Sequence, residues 1–260
     1  MQFSVAARTD VGMIRAGNED AFFADANGHR GLFIVADGMG GHAAGEVASE
    51  MAVKIVTQEL HAVNDLADQD IGVHISRAVR SANRAIYDRT LAEVDKQGMG
   101  TTISLLMLGG SRYVIGQVGD SRVYLVRNGQ LHQLTKDHSY VQEQVDAGFL
   151  TPEQARYHPY SNVITRCVGA ADSVEPDVFT GSVLAGDLFL VASDGLTGMV
   201  DDRRLLQLLM QRQPPQRIVD LLIREANGRG GLDNITAIVV AVGTVDEPPQ
   251  RTTAELTALE

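Results

Sequence analysis

Short β-prone segments separated by turn-forming residues most limit the folds open to this chain. These segments, rich in Val, Ile, Leu, Phe and Tyr, occupy residues 3–9, 21–25, 31–36, 101–108, 113–118, 122–127, 130–134, 187–192 and 235–242. Three glycine-containing reversals, Gly109-Gly110, Gly119-Asp120 and Asn128-Gly129, separate the four central segments, as tight turns require. The pattern predicts an antiparallel meander over residues 101–134, with strands resuming near Val178.

Helical periodicity interrupts the strands in two places. Apolar residues recur every three or four positions from Val47 to Leu60 and from Ile71 to Ile86, and two further helices are predicted at 202–210 and 215–226. With 44% hydrophobic residues in 260, one domain can bury a sizeable core. The expected fold is therefore α+β, with stacked antiparallel sheets covered by helices.

Charge, cysteine content and hydropathy exclude several classes of protein. The 22 basic and 33 acidic residues give a net charge of −11, which disfavours binding to nucleic acid. The single cysteine, Cys167, cannot form an internal disulfide, and we expect it to be an inert packed thiol. No signal-peptide pattern begins the sequence and no apolar run approaches the roughly 20 residues of a spanning helix, so we expect a cytoplasmic protein without membrane contact.

Acidic residues stand at the ends of predicted strands. The pairs Asp37-Gly38 and Asp194-Gly195 each end an apolar run, and Asp233-Asn234 precedes the last strand. A carboxylate at a strand end is held by the sheet yet can reach a hard cation such as Mg²⁺ or Mn²⁺. Any single Asp-Gly pair is more typical of an ordinary turn than of a metal ligand, so the pairs alone are weak evidence for a metal site.

The complete ordered set of motifs is more specific than any member. It comprises Thr9-Asp10-Val11-Gly12, Arg15, Asn18-Glu19-Asp20, Val35-Ala36-Asp37-Gly38-Met39-Gly40-Gly41-His42, Gly100-Thr101-Thr102, Gly119-Asp120-Ser121-Arg122, Ser193-Asp194-Gly195 and Asp233-Asn234. Together these motifs resemble bacterial type 2C (PPM) metal-dependent protein serine/threonine phosphatases. The resemblance spans residues 3 to 243. It implies a four-layer sandwich of two face-to-face antiparallel sheets flanked by α-helices, with a catalytic domain at 1–243 and a disordered tail at 244–260.

The resemblance also implies a metal site that holds two or three Mn²⁺ or Mg²⁺ ions. By motif, Asp37 is expected to bridge two ions, Gly38 to offer its carbonyl to one, and Asp194 and Asp233 to hold the other. Waters would complete the coordination spheres.

Three more acidic residues have expected roles at the same site. Glu19 and Asp20 are predicted to bind metal or hold its water, and Asp120 to join Asp194 at a weaker third ion. For Asp120, a plain turn between two strands is the alternative.

The remaining expectations concern the substrate. Arg15 is predicted to bind the substrate phosphate, since a guanidinium can meet two phosphate oxygens at once. Met39 fills the slot that a histidine occupies in eukaryotic relatives, so His42 is a candidate general acid, or equally a helix cap. The polar stretch at about 137–159 matches the family's mobile flap, with Gly148 as a hinge or simply a helix end.

The function implied is hydrolysis of phosphoserine and phosphothreonine in proteins, by in-line attack of a water activated at a binuclear centre. Expected partners are phosphoproteins, including a bacterial Hanks-type kinase and its substrates, and a monomer is expected. The alternatives are a catalytically inactive phosphoprotein-binding regulatory module and a two-metal nuclease or small phosphomonoesterase. The intact aspartates disfavour the first, and the negative charge disfavours the nuclease.

Overall fold

A computed structural model describes residues 1–27, 30–40, 44–63 and 65–245 of the chain. The strands are β1 (Phe3–Asp10), β2 (Asp20–Ala26), β3 (Arg30–Met39), β4 (Gly100–Thr101), β5 (Ile103–Gly109), β6 (Arg112–Val118), β7 (Arg122–Arg127), β8 (Gln130–Gln133), β9 (Asp177–Ser182), β10 (Leu188–Ala192) and β11 (Ile235–Val242). The helices are α1 (Ala44–Leu60), α2 (Ile71–Ala92), α3 (Tyr140–Asp146), α4 (Pro152–Arg156), α5 (Asp194–Thr197), α6 (Asp202–Leu209) and α7 (Pro215–Gly228), with a 3-10 turn at Val94–Lys96.

The strands form two antiparallel sheets. The first has the order β1-β11-β10-β7-β8, and the second has the order β2-β3-β5-β6-β9, with β4 paired to β3. The N-terminal β1 lies against the C-terminal β11, and the Gln2 amide donates to the Thr244 carbonyl. The two ends of the described chain therefore pair with each other at one edge of the first sheet.

Side-chain alternation along the strands builds the layers. In β3, Phe33 and Val35 face the other sheet, whereas Leu32, Ile34 and Ala36 face α1 and α2, as the period of two in a strand dictates. The first sheet packs its outer face on α5, α6 and α7. The four-layer α+β sandwich predicted from the sequence is confirmed.

The predicted meander over 101–134 is wrong. Strands β5 and β6 form a hairpin in one sheet and β7 and β8 form a hairpin in the other, so β6 and β7 do not pair. The link crosses between sheets at Gly119, whose φ is +100°. Because Ile115 and Val123 both pack in the core between the sheets, stacking the hairpins face to face buries apolar surface that edge-to-edge pairing would leave exposed.

Within the described residues, no helix is both long and apolar enough to cross a membrane.

Candidate active site

The predicted acidic residues lie at one edge of the sandwich because strands from both sheets end there. Asp20 and Asp37 stand opposite each other in the β2–β3 register, and Asp194 begins α5, with one residue between it and the end of β10. Asp233 precedes β11, which pairs with β10, and Asp120 lies on the crossing between β6 and β7. The fold thus brings together five aspartates that are far apart in the sequence.

Asp37 lies at the centre of this cluster. Burial, followed by the facing carboxylates of Asp20 and Asp194, raises its pKa well above the usual value, and its carboxyl group is hydrogen-bonded to Asp194. Burial also raises the pKa of Asp194, and burial with the nearby Asp194 raises that of Asp120. The site concentrates more negative charge than its surroundings neutralise.

Asp20 is fixed by two hydroxyl groups from the other sheet. Its Oδ2 accepts hydrogen bonds from Ser193 Oγ at 2.8 Å and Thr236 Oγ1 at 2.6 Å. Burial raises the pKa of Asp20 to about 7 although both hydrogen bonds lower it. Among the described residues, the Oδ1 atoms of Asp20 and Asp194 are buried without a hydrogen-bond partner.

Two orphaned carboxylate oxygens amid crowded carboxylates fit a hard divalent cation, which binds oxygen ligands and offsets their charge. In the described part of the chain, no three His, Cys, Asp or Glu side chains form a complete cage around one point. Carbonyl oxygens and water would therefore supply part of each coordination sphere, as Mg²⁺ in particular prefers.

Gly38 must be a glycine for steric reasons. A Cβ there would lie 2.2 Å from the Gly45 carbonyl oxygen and 2.5 Å from that of Glu19. The Gly38 amide donates to the Glu19 carbonyl at 3.1 Å. The backbone after Asp37 is thereby pressed against the start of α1.

Glu19 lies beside the N-terminus of α1, where its carboxylate accepts a hydrogen bond from the Gly45 amide. Burial raises the pKa of Glu19, and the nearby Arg15 guanidinium opposes the shift. Glu19 therefore lies between a helix start, which favours a negative group, and the predicted phosphate-binding arginine.

Asn234 ties these loops together, although the sequence singled it out only as the neighbour of Asp233. Its Oδ1 accepts from the Glu19 amide at 2.8 Å, and its Nδ2 donates to the carbonyls of Val11 and Gly17 at 2.9 Å each. The side chain is 4% exposed. Removing it would leave several buried backbone groups unpaired.

A second set of residues holds Asp37 and Asp120. Thr102 and Ser121 belong to the quoted motifs but were given no role, and Gln117 was missed. Thr102 Oγ1 accepts from the Asp37 amide at 2.9 Å and contacts Ser121 Oγ at 2.8 Å. Gln117 Nε2 donates to the carbonyls on either side of Asp120, those of Gly119 and Ser121. The available signal was a glutamine within an otherwise apolar strand, the run Tyr113-Val114-Ile115-Gly116-Gln117-Val118.

The cluster opens into a cleft of about 1240 Å³. Its floor includes Asp120, Asp194, Asp233 and Arg15. One wall is formed by α3 and α4 of the predicted flap, and the other by residues 195–203. The cleft is thus wide enough for part of a large substrate.

An ion pair anchors the base of the flap. Arg122 donates to both carboxylate oxygens of the buried Asp137 and, through another nitrogen, to the Tyr124 hydroxyl at 3.0 Å. The His138 amide donates to the Gly119 carbonyl at 2.9 Å. The start of the flap is therefore bonded to the turn that carries Asp120.

Two further predictions concern His42 and Cys167. His42 falls within residues 41–43, outside the described residues, so its two candidate roles remain predictions. Cys167 is partly buried, and burial raises the pKa of its thiol, which disfavours the reactive thiolate.

Comparison with known proteins agrees with the sandwich and its acidic cleft. A family model described as Protein phosphatase 2C matches residues 15–221. The chain belongs to the protein phosphatase 2C family.

Two curated relatives are bacterial serine/threonine phosphatases by name. The chain is 40% identical over 244 residues to the serine/threonine protein phosphatase PstP of Mycobacterium tuberculosis, covering 93% of this chain but only 45% of that protein. It is 39% identical over 236 residues to the serine/threonine phosphatase stp of Listeria monocytogenes, covering 90% of this chain and 93% of that one. A crystal structure of the PstP catalytic domain in complex with two manganese ions superposes with a TM-score of 0.82 at 39% identity, over 94% of this chain and 99% of that chain.

Proposed function

We propose that this protein removes phosphate from phosphoserine and phosphothreonine in proteins, as a metal-dependent hydrolase whose catalytic domain is residues 1–243. The observation that carries the proposal is the convergence of five aspartates, Asp20, Asp37, Asp120, Asp194 and Asp233, at one edge of the sandwich. Asp120, Asp194 and Asp233 line one cleft together with Arg15. The manganese-bound structure of the related PstP catalytic domain supports the choice of Mn²⁺, with Mg²⁺ as the chemically similar alternative.

We assign roles in metal binding to the carboxylates from their positions in the cluster. Asp37 has Asp20 and Asp194 as its nearest carboxylate neighbours, which supports a role in which it would contact two ions, with the Gly38 carbonyl as a ligand to one of them. Asp194 and Asp233 would share the second ion, and Asp120 with Asp194 a third. When bound, such ions lower the pKa of water toward about 7 and neutralise charge on a phosphoryl group.

Arg15 is the proposed phosphate-binding group. It lies at the cleft floor with its side chain 51% exposed, so two of its nitrogens can bind phosphate oxygens and orient the phosphorus for in-line displacement. Water is the attacking group in this scheme, so no side chain of the cleft acts as a nucleophile. A phosphoenzyme should therefore not accumulate.

Phosphoproteins are the proposed substrates, and an opposing bacterial serine/threonine kinase with its targets is the proposed source of them. The names of the relatives support this assignment. The cleft volume of about 1240 Å³ also suits a peptide segment better than a free phosphate ester alone.

The test compares substrates at fixed protein and Mn²⁺ concentration. A phosphothreonine peptide and single-stranded DNA are incubated separately, and released phosphate and DNA fragments are measured. Phosphate release from the peptide with intact DNA supports the proposal. Tight peptide binding without any release would show a phosphoprotein-binding module instead, and a phosphorylated form of the protein trapped during turnover would refute the water mechanism.

A further inference from the structure

Three large apolar residues are more than half exposed on the two loops that carry Arg15 and Asp233. Met13 is 66% exposed, Ile14 is 67% exposed and Leu232 is 57% exposed. We call these residues the apolar rim. Single exposed apolar residues are normal, but a cluster beside a binding cleft indicates an interaction surface.

The two loops that carry the rim are bonded to each other. The Met13 amide donates to the Gly231 carbonyl at 2.8 Å, and a Cβ on Gly231 would lie 2.8 Å from Met13 Cγ. Gly12 adopts a φ of +80° with its Cα close against the Asp233 backbone, so no larger residue fits there. The backbone therefore holds Met13 and Leu232 next to each other while their side chains face solvent.

The rim is continuous with the proposed phosphate-binding site. Ile14 directly precedes Arg15, and Leu232 directly precedes Asp233, which accepts the 2.7 Å hydrogen bond from Arg15. Leu232 also lines the cleft. Because an extended peptide advances roughly 3.3 Å per residue, a residue adjacent to a phosphoamino acid bound at Arg15 would reach the rim.

The rim favours apolar neighbours because its own surface is apolar. The carboxylates of Glu19 and Asp233 lie beside Arg15, whose own charge is directed to the phosphate in the proposed function. An apolar residue next to the phosphoamino acid would bury the rim, whereas a polar or charged residue there would lose hydration without gaining a partner on it.

We propose that the apolar rim binds an aliphatic or aromatic side chain adjacent to the phosphorylated residue of a substrate protein, and so determines sequence preference. This inference rests on the proposed function and names the substrate class for that site. It assigns specificity to Met13, Ile14 and Leu232, which lie outside the carboxylate cluster.

The experiment uses two pairs of phosphothreonine peptides, one pair for each side of the phosphothreonine. Members of a pair differ only in having Leu or Asn at the adjacent position. The wild type should favour Leu in at least one pair by roughly tenfold in kcat/KM, as burial of one such side chain allows. The double substitution Met13→Ser with Ile14→Ser should reduce that ratio to about twofold or less, and Leu232→Ser should reduce it partly.

The matched control is Leu91→Ser with Val94→Ser. These residues are 68% and 82% exposed at the end of α2 and in the 3-10 turn after it, outside the cleft lining. The control should keep the wild-type ratio. All three variants alter exposed side chains, so their melting temperatures should stay near that of the wild type.

Equal kcat/KM for both members of each pair in the wild type would overturn the inference, as would an unchanged ratio in the rim variant. A wild-type dimer that dissociates in the rim variant, with peptide preference unchanged, would assign the rim to self-association and also overturn it. Release of phosphate from none of the four peptides would defeat the proposed function itself, and the inference with it.

Discussion

Arg15 donates a hydrogen bond of 2.7 Å from its guanidinium to Oδ2 of Asp233, joining the proposed phosphate-binding residue to a proposed metal ligand. Partial burial lowers the pKa of Arg15, but Asp233, and then Glu19 and Asp37, raise it above its usual value overall. The guanidinium therefore stays charged and points toward the carboxylate cluster. Substrate phosphate and metal would be bound side by side.

Substitution of Arg15 should test this arrangement. Arg15→Ala should lower kcat/KM for a phosphothreonine peptide by roughly a hundredfold, as loss of a charge-assisted pair would. Arg15→Lys should recover only part of the loss, since an ammonium cannot bind two oxygens in a plane. Steady-state kinetics measure both, and Arg8→Lys, which alters an arginine paired with Asp10 and Asp220, is the control. Full activity in Arg15→Lys would argue against bidentate phosphate binding.

Removing one charge from the carboxylate cluster should stabilise the metal-free protein. Asp37 is surrounded by Asp20, Asp194 and Asp120, so Asp37→Asn relieves repulsion that the fold otherwise tolerates. Thermal unfolding is measured in chelator at pH 8, where the carboxylates are most charged. The melting temperature of Asp37→Asn should exceed that of the wild type by roughly 2–4 °C for each kcal/mol gained in the free energy of unfolding. A lower melting temperature for Asp37→Asn than for the wild type would contradict the repulsion.

Divalent metal should stabilise the wild type through the same cluster. Mn²⁺ at a concentration of 100 times Kd should add about 2.7 kcal/mol to the free energy of unfolding, and chelator should reverse the effect. Asp37→Asn should show a much smaller gain, whereas Asp88→Asn, at an exposed position on α2, should behave like the wild type. Equal Mn²⁺ stabilisation of all three proteins would place the metal elsewhere.

Gln117 is predicted to position Asp120. Gln117→Leu would leave the Gly119 and Ser121 carbonyls without their buried donor, which costs about 1–3 kcal/mol. It should also weaken Mn²⁺ binding measured by calorimetry, because Asp120 lies between those two residues. Gln130→Leu, at an exposed position of β8, is the control. Unchanged Mn²⁺ binding in a folded Gln117→Leu protein would limit Gln117 to a structural role.

Gly195 should tolerate no side chain. A Cβ there would lie 1.9 Å from the Asn234 carbonyl oxygen, within the loop that carries Asp233. Gly195→Ala should therefore destabilise the protein by more than about 3 kcal/mol in urea unfolding. A Cβ on Gly228 would meet nothing within 4 Å, so Gly228→Ala should be close to neutral. Similar free energies of unfolding for both variants would show that the loop carrying Asp233 can shift to accept a Cβ on Gly195 at little energetic cost.

The sequence predicted most elements and the fold class because periodicity and turn residues act locally. The predicted strand at 3–9 corresponds to Phe3–Asp10, and that at 235–242 to Ile235–Val242. Assignment of strands to sheets is not local, which is why the meander prediction failed at Gly119. A choice between pairing edge to edge and stacking face to face depends on the whole core.

The sequence showed the carboxylates at strand ends, and the resemblance supplied their roles at a metal site, which stay predictions. The residues that support those carboxylates were given no role. Asn234, Thr102 and Gln117 act by hydrogen bonds to backbone groups distant in sequence. Only the folded chain brings such partners together, and a buried polar residue in a strand is the sole local hint. The role of Arg122 likewise becomes visible only in the folded chain, where its guanidinium pairs with Asp137.

The most direct test of the central claim is phosphate release from a phosphothreonine peptide with Mn²⁺, with Mg²⁺ and with chelator, for the wild type beside Asp37→Asn and Asp194→Ala. The account predicts release by the wild type with metal, none with chelator, and a loss of roughly a hundredfold or more in both variants. Release that persists in chelator, or full activity in either folded variant, would contradict hydrolysis at this carboxylate cluster.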